Sequence, residues 1–213
     1  MDVLLPGSCA ACGAYGTALC RRCLASLRPA TDPADRFLAP DPGVVIGDAL
    51  EVAVAAFVYE GPLRRALAKL KYAGARRLAD PLGRAAAPRL GEVRDLLRPA
   101  GLVPVPIHAE RRRERGYNQA ALLASCLGRA SGLPVLDLLL RSRMTTQQHR
   151  LNRAARLRNL RDAFGPLPQA RPPPVVILVD DILTTSATLE ACAAILLAHG
   201  AERVWGFALA REI

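Results

Sequence analysis

Two apolar periods alternate along the chain. Residues 52–59 place apolar side chains as a half-buried strand does. Residues 63–72 repeat Leu63, Ala66, Leu67 and Leu70 at helical spacing until Gly74 interrupts. Residues 81–97 predict a second helix, with Gly91 as a point where it breaks. A short strand follows at 102–106, then a helix at 117–130 with Leu122, Leu123, Cys126 and Leu127 on one face, then a strand at 133–138. Pro172, Pro173 and Pro174 precede the most apolar run, Val175 to Val179. That buried strand is expected to end at Asp180 and Asp181 and to lead into a helix from near Thr188 to His199. Residues 204–209 make a last strand. Strands alternating with helices predict an α/β fold with a mostly parallel sheet and flanking helices, whose ligand sits beyond the carboxyl ends of the strands.

The chain before residue 51 breaks this rhythm. Residues 1–30 are too few for a core of their own and hold two Cys-x-x-Cys pairs. Residues 31–50 are rich in Pro and Gly and read as a linker, which leaves 51–213 as the main domain. Cys9, Cys12, Cys20 and Cys23 can each place a thiolate on a tight turn, and four thiolates suit structural zinc. Two disulfides are the competing arrangement, disfavoured in a cytoplasmic chain. Cys126 and Cys192 lie among Ala and Leu and read as core residues.

Composition changes this picture little. No apolar run approaches the roughly 20 residues that span a bilayer, and no basic-then-apolar leader opens the chain, so a soluble cytoplasmic protein with no membrane insertion is expected. The net charge of +10 points toward nucleic acid, but it is nearly all arginine, as a GC-rich genome favours; Lys69 and Lys71 are the only lysines. The clusters therefore carry more information than the total, and phosphorylated small molecules explain them as well as DNA does.

The acid turn is the strongest chemical signal. Asp180 and Asp181 can accept hydrogen bonds from neighbouring sugar hydroxyls or help hold a divalent ion. Thr184, Thr185, Ser186, Ala187 and Thr188 supply hydroxyls and small side chains that let backbone N–H groups wrap a phosphate. An acidic strand end before an ordinary capped helix is the plainer alternative. Residues 103–108 end a second strand at prolines and run into Arg111, Arg112, Arg113 and Arg115, then Gly116, Tyr117, Asn118 and Gln119. Arg143, Thr145, Gln148, Arg153, Arg156 and Asn159 form a third polar stretch before the main strand.

The acid turn resembles the phosphoribosyl-pyrophosphate signature of type I phosphoribosyltransferases, with Ser186 where that pattern prefers Gly. A Ser there is less free to take φ > 0 and crowds a phosphate. The Cys pairs, the Lys69–Lys71 segment, the run from Arg115 to Ala120 and the stretch from Arg143 to Phe164 resemble, in that order, the ComF family of natural competence. The resemblance implies a type I phosphoribosyltransferase-like fold with a small zinc-binding N-terminal segment. It also implies phosphoribosyl pyrophosphate as ligand, with Mg²⁺. Asp180 and Asp181 would take the ribose hydroxyls and act in catalysis, and Thr184 to Thr188 the 5-phosphate. Val105, His108, Arg113 and a closing loop with Thr145, Gln148 and Arg156 would take the pyrophosphate. The chemistry implied is phosphoribosyl transfer to an acceptor the sequence does not name. The rival expectation is a non-enzymatic DNA-uptake protein: its arginines would meet single-stranded DNA, Tyr72 would stack on a base, and its metal segment would dock a competence helicase.

Overall fold

Four of the apolar runs form one parallel sheet in the computed structural model, which describes residues 7–30, 48–142 and 162–212. The strands are β1 (Val52–Val58), β2 (Gly101–Pro104), β5 (Val175–Leu183) and β6 (Arg203–Arg211), in the order β1-β6-β5-β2. A separate antiparallel pair, β3 (Leu139–Arg141) with β4 (Phe164–Pro166), lies at the side. Helices α2 (Gly61–Tyr72), α3 (Ala79–Leu97) and α5 (Gln119–Ser131) share one core with Ile177, Val179, Trp205 and Phe207. Helix α6 (Ala187–Ala198) shares the other with Val176, Leu178, Val204 and Phe164. Both faces of β5 are thus covered, which is why it reads as an unbroken apolar run.

The predicted α/β architecture holds, with several boundaries corrected. Helix α3 passes through Gly91 unbroken, because its buried stripe of Leu82, Ala86, Leu90, Val93 and Leu97 packs throughout. The close approach of α3 to α5 is made at Gly83, where a Cβ would stand 2.6 Å from the Cβ of Cys126. The stretch 133–138 is not a strand; Val135 alone bridges to Leu102, and the regular strand begins at Leu139. Nor does the main strand stop at the acids. Its ladder with β6 continues to Leu183 opposite Arg211.

The basic stretch expected as a loop contains a short helix, α4 (Ala109–Arg115), with no buried residue. His108 caps it by accepting the N–H of Glu110 at 3.3 Å, and Gly116 ends it at φ +77°. Glu110 in its first turn and Arg112, Arg113 and Arg115 in its last suit the helix dipole. The next helix starts at Gln119 rather than Tyr117, because Asn118 caps it by accepting the N–H of Ala120 at 3.0 Å.

The cysteine segment, with α1 (Arg21–Ala25), packs on the main core: Cys9, Leu19, Cys23 and Leu27 join the cluster of α2 and α3. Its end runs along β1, where Ala30 N–H donates to Ala56 and Val58 N–H to Arg28. The start of β1 is tied from the opposite side of the sheet. The Glu190 carboxylate, 1% exposed, accepts the N–H of Ala49 at 3.0 Å and that of Leu50 at 2.8 Å. Nothing in the local pattern of α6 signals this clasp between residues 140 positions apart.

Truncating Glu190 strands two N–H groups. Glu190→Ala is expected to lower the unfolding free energy by about 3 kcal/mol in urea titration. Glu190→Gln, which trades one acceptor for a donor, should also destabilise.

Candidate functional site

A strand covered on both faces can carry acids only where they are paired or kept from ionising, and β5 carries two, Asp180 and Asp181, in the last part of its ladder. The two-residue pleat continues the series Ile177, Val179 to Asp181, toward α2, and the series Val176, Leu178 to Asp180, toward α6. Asp181 is 3% exposed, and its carboxylate lies 2.9 Å from the ammonium of Lys71, the penultimate residue of α2. Asp180 folds back to accept the N–H of Asp181 at 2.8 Å. Burial first, then the negative charge of Asp181, hold the Asp180 carboxyl well above the usual carboxylate range, against the pull of that N–H and of Lys71.

On the α6 side the half-buried Arg141 lies within electrostatic reach of Asp180. The Arg141 guanidinium lies 5.0 Å from the ring centroid of Phe164, its cross-strand neighbour in the β3–β4 pair. Burial lowers the pKa of Arg141, the nearby charge of Arg111 adds to that, and Cys192 and Asp180 oppose it. The Cys192 thiol is pushed up by burial and then by Asp180, which suits the core role expected of it.

Beyond Leu183 the chain turns through exposed Thr184 and Thr185 to Ser186, the N-cap of the twelve-residue α6. Ser186 adopts φ +50°, ψ 0°, the left-handed region. The position thus demands the conformation that glycine takes freely, and a serine there costs on the order of 1 kcal/mol. The first bond of the helix runs from Glu190 N–H to Ser186 C=O at 2.8 Å. The N–H groups of Ala187, Thr188 and Leu189 therefore have no partner within the helix and point out of its end.

The stretch around Tyr117 ties the other elements to this edge. Val105 N–H donates to Val179 C=O at 2.9 Å, so that amide belongs to the sheet, and any anion at this strand end must be met from Ile107 onward. Asn118 Nδ2 donates to Val105 C=O at 2.9 Å, and the Tyr117 hydroxyl donates to Leu70 C=O, fastening the end of α2 beside the strand ends. Arg76 covers the Tyr117 ring at 4.8 Å and donates to Gly116 C=O at 2.6 Å. Arg115 donates to Gln119 and sits 5.5 Å from the exposed ring of Tyr72.

Of the residues expected to bind ligand, Asp180, Asp181, the turn 184–188 and Val105 come together at the C-terminal edge of the sheet. His108 caps α4, on which Arg113 is exposed. Thr145, Gln148 and Arg156 lie outside the described residues. Two participants escaped the sequence pattern. Lys71, which the sequence marked only as one of two lysines, pairs with Asp181, and Arg141 carried no sequence signal of its own. The Lys-x-Lys spacing on an otherwise arginine-rich chain was the one available signal for the former.

The second cluster is the cysteine segment. The Sγ atoms of Cys9, Cys12, Cys20 and Cys23 all lie within 4.8 Å of one another, and none is in a disulfide. Cys12 and Cys20 sulfurs are 3.6 Å apart, near the roughly 3.8 Å edge of a tetrahedron of thiolates around one ion. Burial opposes ionisation of Cys9, but N–H groups of Cys12, Cys20 and Ala11 aimed at its sulfur outweigh it and bring the thiol down to about 6. Cys23, buried against the other three, is pushed up to about 12. Four sulfurs at these distances fit a metal ion.

The raised Asp180 carboxyl has a consequence for stability. A carboxyl that holds its proton more tightly when folded costs nothing while protonated in both states. The cost appears as pH rises through its ordinary unfolded value and is complete above its folded value. Asp180→Asn is therefore expected to raise the melting temperature near neutral pH, with the gain shrinking as pH falls toward about 4. Equal gains at both pH values would show that the carboxyl is not perturbed.

No protein-family model matches the chain. Three relatives bear on it. Competence protein F of Haemophilus influenzae is 38% identical over 117 residues, covering 53% of this chain and 51% of that protein. Competence protein ComFC of Bacillus subtilis is 38% identical over 112 residues, covering 52% and 44%. The chain thus matches about half the length of each. DNA utilization protein YhgH of Escherichia coli is 33% identical over 161 residues, covering 73% of this chain and 70% of that protein. Among solved structures, the allosteric regulatory enzyme of purine biosynthesis aligns with a TM-score of 0.38 and 15% identity over 62% of this chain and 26% of that one. With a third of its residues identical to YhgH over most of both proteins, and with the competence proteins matching it more closely over a shorter stretch, the chain belongs to the ComF family of competence and DNA-utilization proteins.

Proposed function

We propose that the C-terminal edge of the sheet binds phosphoribosyl pyrophosphate with Mg²⁺, for transfer of the phosphoribosyl group. The observation that carries this is the carboxylate pair itself. Asp180 and Asp181 are held in the last part of β5 with unfavourable electrostatics, on the segment that leads to the left-handed turn opening the N–H groups of α6. A polar ligand with hydroxyls and a phosphate satisfies both halves at once, the carboxylates by accepting from hydroxyls and the helix end by donating to phosphate. Asp180 and Asp181 fit a hydrated Mg²⁺, because one carboxylate oxygen of Asp181 is buried without a hydrogen bond, 2.9 Å from the Lys71 ammonium. Mg²⁺ bound there would neutralise charge on a departing diphosphate. The protein's own share is to hold the ribose between the carboxylates and the turn and to keep positive charge near the leaving group. His108, Arg113, Thr145, Gln148 and Arg156 remain proposed pyrophosphate contacts. Calorimetric titration with phosphoribosyl pyrophosphate and Mg²⁺ tests the reading. Binding to the native chain and its loss in the Asp180→Asn, Asp181→Asn variant is expected; equal heats from both would remove the assignment.

A second reading has an observation of its own. Tyr72 is 81% exposed beneath the Arg115 guanidinium, close to α4 with Arg111, Arg112 and Arg113, an arrangement that can stack a base and meet phosphates of single-stranded DNA. The relatives' competence and DNA-utilization names support it. The same double variant separates the two, since DNA affinity should survive it and fall steeply with salt.

For the cysteine segment we propose structural zinc, with Cys9, Cys12, Cys20 and Cys23 as a closed tetrahedral set. Because Leu19, Cys23 and Leu27 belong to the core of α2 and α3, loss of the metal should destabilise the main domain as well. Elemental analysis should find one zinc per chain, and Cys9→Ser should lower both zinc content and melting temperature. Full zinc retention in that variant would exclude Cys9 as a ligand.

A further inference from the structure

We infer that Lys71 is a tethered cation that occupies Asp181 in the empty protein and leaves it for the diphosphate, so that metal ion and diphosphate enter the site together. This rests on the sugar-phosphate reading above and adds to it a residue and an order of events.

Four observations converge. The Asp181 carboxylate is almost wholly buried and its Oδ2 accepts no hydrogen bond, so the ammonium at 2.9 Å is its electrostatic partner there. The ammonium already balances the Asp181 carboxylate, which makes the pair a poor host for a divalent cation until the ammonium moves. Lys71 can move while its helix stays: Tyr117 clamps the neighbouring Leu70 carbonyl, yet the Lys71 side chain keeps 20% of its surface in solvent on a four-carbon stem. Finally, the strand end expected to take the diphosphate belongs to β2, the neighbour of β5 in the sheet. Val105 is bonded to Val179, two residues before Asp181, and Asn118 joins the Val105 carbonyl to the same turn that holds α2. A swing of the Lys71 stem trades a carboxylate for an incoming diphosphate, and the divalent ion takes the carboxylate the lysine has vacated. The ion and the ammonium repel each other at one buried oxygen, so the exchange is competitive.

Lys71 is thus a positioning residue, and its signature is metal affinity in the absence of any sugar phosphate. Binding of Mn²⁺ alone is measured for the native chain, Lys71→Met, Lys71→Gln and Lys71→Met combined with Asp181→Asn. Lys71→Gln keeps a hydrogen-bond donor beside Asp181 and serves if the Met variant does not fold. Both single variants should bind Mn²⁺ at least tenfold more tightly than the native chain, and the double variant should lose the gain. Equal Mn²⁺ affinity in native and single-variant proteins would overturn the inference. In a second arm, inorganic pyrophosphate should bind the single variants at least tenfold more weakly than the native chain; unchanged affinity would overturn the transfer of the ammonium. Failure of phosphoribosyl pyrophosphate to bind, with both arms as expected, would sink the substrate assignment and leave the cation exchange standing.

Discussion

A charge cannot be left uncompensated in the middle of a sheet covered on both faces, and the architecture of this protein follows from where its two strand acids escape that rule. The central strand β5 is apolar until the last part of its ladder, and there it carries both acids. Each is answered differently. Asp181 draws a lysine from α2, and Asp180 turns onto the backbone with Arg141 nearby. The elements that supply these partners have their own fastenings. Tyr117 and Asn118 tie α2 and the end of β2 to one turn, while Glu190 ties the start of β1 to α6.

The site is assembled from groups that are poorly satisfied by themselves. Two carboxylates lie close enough to oppose each other's ionisation, a serine is held in a backbone region that favours glycine, and the first N–H groups of α6 face outward. Such terms lower the stability of an empty protein and are relieved by a ligand of the right charge pattern, as is usual where binding rather than folding shapes a region. The cysteine segment is the opposite case. Its four thiols converge in a packed setting continuous with the main core, where one ion would satisfy all of them.

Much of this was legible along the chain because it is local. The helical spacing in α2, the apolar run of β5 and the two Cys-x-x-Cys pairs each state a local geometry, and all three formed where expected. The errors arose where a neighbour outweighed a local signal. Packing carried α3 through Gly91, pairing with β6 carried β5 past its acids, and a histidine cap with a terminal glycine turned a basic loop into α4. Ser186 was legible in a different way: its departure from glycine was visible in the sequence, and its left-handed backbone shows that the position still imposes the conformation.

The sequence by itself determined the order of the four main-sheet strands and the longer helices, the thiol donor set and the acid turn, because periodicity and motif spacing are properties of short segments. Only the tertiary structure decided that Lys71 meets Asp181, that Arg141 lies near Asp180, and that Glu190 holds Ala49 and Leu50. Those pairings join segments far apart in the chain. They exist because a buried carboxylate needs a partner, and which partner comes within reach depends on how the helices pack on the sheet.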